Sequence, residues 1–306
     1  SLGIGTNLFY YTVHEPMSHA YLFFTFVIIM YYTVQWHRLP SLKDAARIGF
    51  FSGLAILIRP TDGIILLIPL LYSVTSIATL QTKLALLITH WKHVMLLGIV
   101  LCIPISFQLI YWKMVTGQWI FFSYVGEGFL WNDPEIWNGL FSYRKGWFLY
   151  TPIISFAFLG FFFLYRYCRD FFVPILLFTI INIYVVLSWW SWWYGGSFGL
   201  RSFIESYALL ALPMGACYQW LLKSRWSTLL LVAVIILLST INQIQTFQYR
   251  HYYIHWDSQS KAAYWYVFLK MNLTEEEKTT LGKLQEQPPW QRYEKLQQKQ
   301  MQEGNK

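Results

Sequence analysis

Charge is scarce in this chain. Of 306 residues only 12% are charged. Between Ala20 and Phe247 those charges are almost all confined to the gaps between about eight long apolar stretches. Stretches of roughly 17–20 apolar residues match the hydrocarbon thickness of a bilayer. The pattern excludes an ordinary soluble domain and points to a polytopic membrane protein. Cysteine is also scarce: Cys102, Cys168 and Cys217 show no metal-binding spacing, and no disulfide framework is expected. No compact basic patch accompanies the net charge of +8, so a nucleic-acid partner is not expected. Its basic residues are divided among short loops and a polar tail.

What is abundant is aromatic: 16 Trp and 22 Tyr, enough for wide belts at the membrane interface. The expected fold class is all-α, a polytopic transmembrane helical bundle with a short extracytoplasmic C-terminal tail. The candidate spans are 20–36, 48–59, 63–80, 94–112, 147–165, 171–190, 203–222 and 226–246. The second is short and runs into Arg59-Pro60-Thr61-Asp62. Proline disfavours helix in the residue before it, so 48–80 reads as a hairpin with its tip at Arg59–Asp62. The chain opens on SLGIGTNLFYYTV, which reads as the end of a helix, so an N-terminal part is expected upstream.

Alternate loops carry Arg38, Lys43 and Arg47, then Lys83 and Lys92, then Arg166 and Arg169, then Lys223 and Arg225. Short basic loops lie on the cytoplasmic side. The segment before Ala20, the Arg59–Asp62 tip, the long loop 113–146, the loop 191–202 and the tail then share the opposite face. Two regions are expected: a transmembrane part over 1–247 and a polar, partly helical tail over 248–306. In that tail Thr274 is the expected N-cap of a helix over TEEEKTTLGKL, and the chain beyond Pro288-Pro289 is expected to be mobile.

The candidate functional residues gather on the outer face. Glu15 and His19 are four apart, so a helix beginning near Pro16 would place both on one side. Arg59 and Asp62 sit at the hairpin tip. Glu127, Asp133 and Lys145 lie in the long loop, next to Trp147. In WWSWWYGGSFGLRSFIE, Gly195, Gly196 and Gly199 allow a tight backbone path. A helix starting near Ser202 would aim free N–H groups at an anion, and Arg201 adds a fork suited to phosphate. Trp193 and its neighbours offer flat surfaces for a sugar ring or an isoprenoid chain. Structural readings stand beside these. Glu15 ahead of Pro16 is a normal helix cap. Arg59 with Asp62 could be an ion pair closing a hairpin, and Arg201 with Glu205 an i,i+4 pair. The tryptophans could be interfacial anchors, and His19 a satisfied interface histidine. Against these, only Asp44 and Asp170 place carboxylates in the cytoplasmic loops.

WWYGGSFGLRSFIESYALLALP resembles the Trp–Gly–Gly–Ser–x–Gly–x–Arg segment of bacterial GT-C superfamily glycosyltransferases, in the protein O-mannosyltransferase and aminoarabinose transferase group. GLAILIRPTDGIILLIPLLY is similar to their helical hairpin, and HEPMSHAYLFF to the acidic segment that opens an outer-face helix. The resemblance covers about residues 1–250. It implies a multi-pass enzyme of the bacterial inner (plasma) membrane with its active face extracytoplasmic. Such an enzyme takes a sugar from a polyprenyl-phosphate donor, with inversion, to a hydroxyl on a lipid, glycan or protein acceptor. The main catalytic Asp of that group lies in a first outer loop that this chain does not contain, and Glu15 matches a later acid. Some members hold a divalent cation, Mg or Mn, and others hold none, so the cofactor stays open and no metal ligands are assigned.

On this reading Glu15 and His19 orient the acceptor or the base. Arg201, then Arg59, stabilise the leaving phosphate, and Lys145 and Trp147 close the long loop over the donor. Asp62, Trp193, Gly196 and Glu205 complete the substrate-binding set. The alternatives are a membrane transporter or lipid-sugar flippase, which predicts pseudo-symmetric halves, and a non-catalytic scaffold whose tail binds a partner.

Overall fold

The computed structural model describes residues 1–304, and helices dominate it. Among the described residues there is no strand, only an isolated bridge between Phe129 and Trp189. The short helices α1 (Leu2–Gly5) and α2 (Leu8–Val13) lead into α3 (Ser18–Arg38). Next comes α4 (Leu42–Ile58), capped by the Ser41 hydroxyl, which accepts the Asp44 N–H. Arg59 is extended, and Pro60 opens a 3-10 turn over Pro60–Leu66 that continues into α5 (Leu67–Leu71). The chain folds back on α4 there, as the Arg-Pro pair predicts. A Ser76–Thr79 capping box starts α6 (Ile77–Thr89). α7 (Trp91–Thr116) ends at Gly117, whose φ of +75° suits glycine.

After the loop come α8 (Ile136–Phe141) and α9 (Trp147–Tyr150), then α10 (Ser155–Tyr167), α11 (Arg169–Ser188), α12 (Tyr207–Leu221) and α13 (Arg225–Arg250). The tail holds α14 (Lys261–Val267), α15 (Glu275–Leu284) and α16 (Gln291–Gly304).

Three helices, α7, α11 and α13, are long and apolar enough to cross a membrane. That is fewer than the eight spans expected, and the reasons are local. The 63–80 stretch is divided by the 3-10 turn and by a turn at Ser73, whose φ is +65°. Pro152 heads a separate 3-10 turn between α9 and α10. α12 has 15 residues because the chain ahead of it is 3-10 and turn. α4 has 17 residues. α3 has 21, but its Tyr, Gln and His residues lower its hydropathy.

The helices pack through small residues. Gly49 and Gly53, one turn apart on α4, meet the carbonyls of Leu97 and Leu101 on α7 so closely that a Cβ at either would collide. This is the small-xxx-small arrangement that brings backbones together without a hydrophobic driving force. One buried core holds Leu22, Phe26, Ile29, Ile65, Ile68 and Phe178. The larger one joins Tyr11, Trp147, Tyr150, Phe203 and Tyr207 to tail residues Tyr253, Tyr264, Leu281 and Leu296. The tail is thus packed on the body, and the segment after Pro289, expected to be mobile, is helix α16. The Thr274 cap is present as a capping box with Glu277.

The two sets of alternate loops meet among themselves. Lys83 reaches His37 and the Pro69 carbonyl, Trp36 donates to His93, Ser73 bonds Asp170, and Lys223 lies over the Tyr167 ring. The other set joins residue 19 to 205, 59 to 194 and 205, 127 to 190, and 144–145 to 197 and 256–257.

Candidate functional site

At that second meeting place Glu205 is completely buried. Its Oε1 accepts a hydrogen bond from Arg59 Nη1 at 2.6 Å, and its Oε2 lies 2.9 Å from His19 Nδ1. Arg59 also donates to the Ser202 carbonyl at 3.3 Å and lies 5.6 Å over the Tyr194 ring. The Pro60 turn aims Arg59 inward, α3 supplies His19 from its first turn, and the turn before α12 supplies Glu205. Three expected site residues from distant segments are therefore one charge cluster.

Asp62 stands beside this cluster. It is 3% exposed, and its Oδ2 has no hydrogen-bond partner. Burial, then the charge of Glu205, pushes its carboxyl well above the usual range, against the pull of Arg59. The hairpin-tip pair of Arg59 with Asp62 is not formed, because Arg59 reaches across to Glu205 instead.

The Arg201–Glu205 pair is not formed either. Residues Arg201–Phe203 are a 3-10 turn, which does not place i and i+4 on one face as an α-helix would. The α-helical start moves from Ser202 to Tyr207, a buried position, so its N–H groups are not offered to an anion. Arg201 is partly exposed, with only Met17 Sδ at 3.3 Å and the Gly196 carbonyl at 3.4 Å beside its Nη1. Gly199 has a φ of +59° and sits against Tyr150, and Tyr194 adopts a φ of +57° without being glycine. Gly196 carries the ring of Trp256, and a Cβ there would stand 3.3 Å from it.

Glu15 and His19 do not share a helix face. α3 starts at Ser18 with Met17 in the cap position, so Glu15 lies ahead of the helix and does not cap it. Its Oε2 accepts from the Tyr10 hydroxyl at 2.7 Å, and the residue is exposed. It lines a groove of about 360 Å³ with Tyr10, His14, Tyr249, Arg250, Tyr252 and Trp256. Burial and the neighbouring Arg250 lower the His14 pKa.

Lys145 and Trp147 are both enclosed by the fold. Lys145 is buried, with its Nζ between the carbonyls of Ser197 and Trp256. Burial, then Arg201, pushes its amine well below the usual range, partly offset by Asp257. Trp147 is a core residue that stacks on Phe203 at 4.1 Å and donates to the Tyr207 hydroxyl. Trp193 is buried among Trp190, Trp192 and Trp290 and offers no open ring face. In the long loop, Glu127 accepts from Trp190, while Asp133 and Glu135 pair with Arg292.

Tyr194, Arg250 and Trp256 were not singled out from the sequence. Arg250 was the findable one, since it is the charge that ends the last apolar run. The other two are aromatic residues among many, and only their neighbours distinguish them.

Among the described residues no group of three or more His, Cys, Asp or Glu side chains is arranged to hold a metal ion. Comparison of the chain with protein families, curated proteins and solved structures gave no match.

Proposed function

We propose that this protein is a membrane glycosyltransferase that moves a sugar from a polyprenyl-phosphate donor to a hydroxyl acceptor. One observation carries the reading. The partly exposed Arg201 stands by the anchored Gly196–Trp256 contact, and the adjoining groove holds the exposed carboxylate of Glu15, which among the described residues pairs with the Tyr10 hydroxyl and with no cation. A cation suited to phosphate, a carboxylate suited to sugar or acceptor hydroxyls, and aromatic rings are thereby close together. α13, long and apolar enough to cross a membrane, ends at this place with Arg250.

In the proposed reaction a general base takes the proton of the acceptor hydroxyl, whose oxygen attacks C1 of the sugar. The C1–O bond to phosphate breaks, and polyprenyl phosphate leaves with its charge held by Arg201. Glu15 contacts the acceptor. The Glu205–Arg59–His19 cluster fixes α3, the hairpin tip and the entry to α12 in register, so His19 and Arg59 act by positioning. The remaining apolar segments complete a multi-pass bundle in a bacterial inner membrane, with the site on the extracytoplasmic face. His19 opens α3, Arg59 follows α4 and Glu205 precedes α12, so these charged groups lie at helix ends, which favours transfer over transport through the midplane.

The test is reconstitution in lipid vesicles with a polyprenyl-phosphate sugar. Acceptor-dependent release of polyprenyl phosphate is the expected result. Sugar-lipid movement between leaflets without release would replace this reading with the flippase.

A further inference from the structure

The groove beside Glu15 has a composition that narrows its ligand. Its volume of about 360 Å³ falls within the range of small-molecule sites, roughly 300–1,000 Å³. Glu15 and Arg250 both line it, yet they form no ion pair with each other. Arg250 is exposed, and its guanidinium makes no hydrogen bond or ion pair among the described residues. An arginine and a carboxylate that line one groove without pairing suit a ligand that carries both hydroxyl donors and an anionic group. Each would then meet the partner it needs.

The aromatic side is built as firmly. Trp256 is 46% exposed, with the His255 ring stacked on it and Gly196 against it, and its backbone carbonyl is held by Lys145, so its ring edge is the part that faces the groove. Tyr252 is 78% exposed and adopts a φ of +60°, a conformation costly for a bulky residue. That conformation is the left-handed stop of α13, where the Tyr253 N–H bonds the Gln248 carbonyl, and it turns the Tyr252 ring outward. Exposed rings at the edge of a polar groove suit the apolar face of a sugar.

Resting on the transferase reading, we propose that this groove binds an acidic saccharide, a sugar ring bearing a carboxylate. Arg250 holds the acidic group, Glu15 accepts from ring hydroxyls, and Trp256 and Tyr252 pack on the ring. The same chemistry could arrive on the lipid donor or on a free acceptor, and the assay separates them. The full chain in nanodiscs is titrated with methyl glucuronide, methyl glucoside and glucuronate linked to polyprenyl phosphate, with tryptophan fluorescence as the readout.

Methyl glucuronide should bind at least tenfold tighter than methyl glucoside. Arg250→Gln should erase that preference while leaving the melting temperature unchanged, and Trp256→Ala should weaken both sugars. Binding of the lipid-linked form alone, still lost in Arg250→Gln, would place the sugar on the donor. Binding of the free form as well would place it on the acceptor. Equal affinity for the two methyl glycosides, or no binding of any of the three ligands, overturns the proposal. Binding is measured without turnover. A protein that binds glucuronide but transfers nothing would therefore lose the transferase reading and keep this site.

Discussion

Arg59 and Glu205 lie 146 residues apart in the chain and meet at 2.6 Å, with the carboxylate wholly buried. His19 occupies the other carboxylate oxygen, so both oxygens of a buried carboxylate are engaged. The three residues bind α3, the hairpin tip and the entry to α12 to one another. Removing one partner leaves a buried charge uncompensated, which typically costs about 3–5 kcal/mol.

The first expectation follows directly. Arg59→Ala and Glu205→Ala should each lower detergent stability by about that amount. The double variant should cost less than the two added together, because the second change removes the orphaned charge. Thermal unfolding in a single detergent measures all three. Additive losses would mean that the two groups do not depend on each other.

Glu15 gives the second. It lies ahead of α3, and Met17 takes the cap position, so a helix-capping loss of about 1 kcal/mol is not expected. Glu15→Gln keeps the shape and can keep the contact with Tyr10. Turnover should fall at least tenfold, while the melting temperature stays within a degree or so of the parent. A fall in stability with unchanged specific activity would assign Glu15 to structure.

Arg201 gives the third. Among the described residues its guanidinium meets a thioether and one carbonyl and no carboxylate, so its charge is available to a ligand. Arg201→Ala should raise the transfer barrier by about 2–4 kcal/mol, as removal of a transition-state electrostatic donor does. Arg201→Lys should restore only part, because a point charge replaces a planar fork. Parental rates in both folded variants would make the arginine a scaffold residue.

Local signals in this sequence were readable where one or two residues decide the backbone. Arg59-Pro60 stops α4, and Thr274 with Glu277 starts α15. Partner choice was not readable. Glu205 has Arg201 at the right spacing for an α-helix, but the backbone there is 3-10, and the partner comes from another helix pair. Span counting failed for a related reason. An apolar run measures composition, whereas Pro152 and the left-handed Ser73 decide whether a single helix runs through it. Lys145 and Trp147 looked available because they border a loop, yet the tail carbonyl of Trp256 holds Lys145, and Phe203 and Tyr207 enclose Trp147.

The long loop has a consequence for dynamics. A loop of this length is often a lid that is free when the site is empty. Here Arg292 of α16 reaches Asp133 and Glu135, Lys295 bonds Asp133 at 2.6 Å, and Gln297 donates to the Gly126 carbonyl. The tail therefore straps the loop down without ligand. The Lys295 hydrogen bond, then the charges of Lys295 and Arg292, hold the Asp133 carboxyl below its ordinary pKa. A carboxyl with a lowered folded pKa stabilises the strap above its unfolded value of about 3.9, and that contribution is lost as pH falls through the folded value. Hydrogen exchange over residues 126–135 should show protection at pH 7 and pH 5, and pepsin cleavage there should rise once the pH drops below about 4. Arg292→Ala should release the segment at neutral pH. Because Asp133 is half exposed, the pH effect should be modest and screened by salt, whereas the Arg292 effect should persist. Full exchange of 126–135 in the parent protein at pH 7 would show that the strap does not hold and return the loop to the role of a free lid.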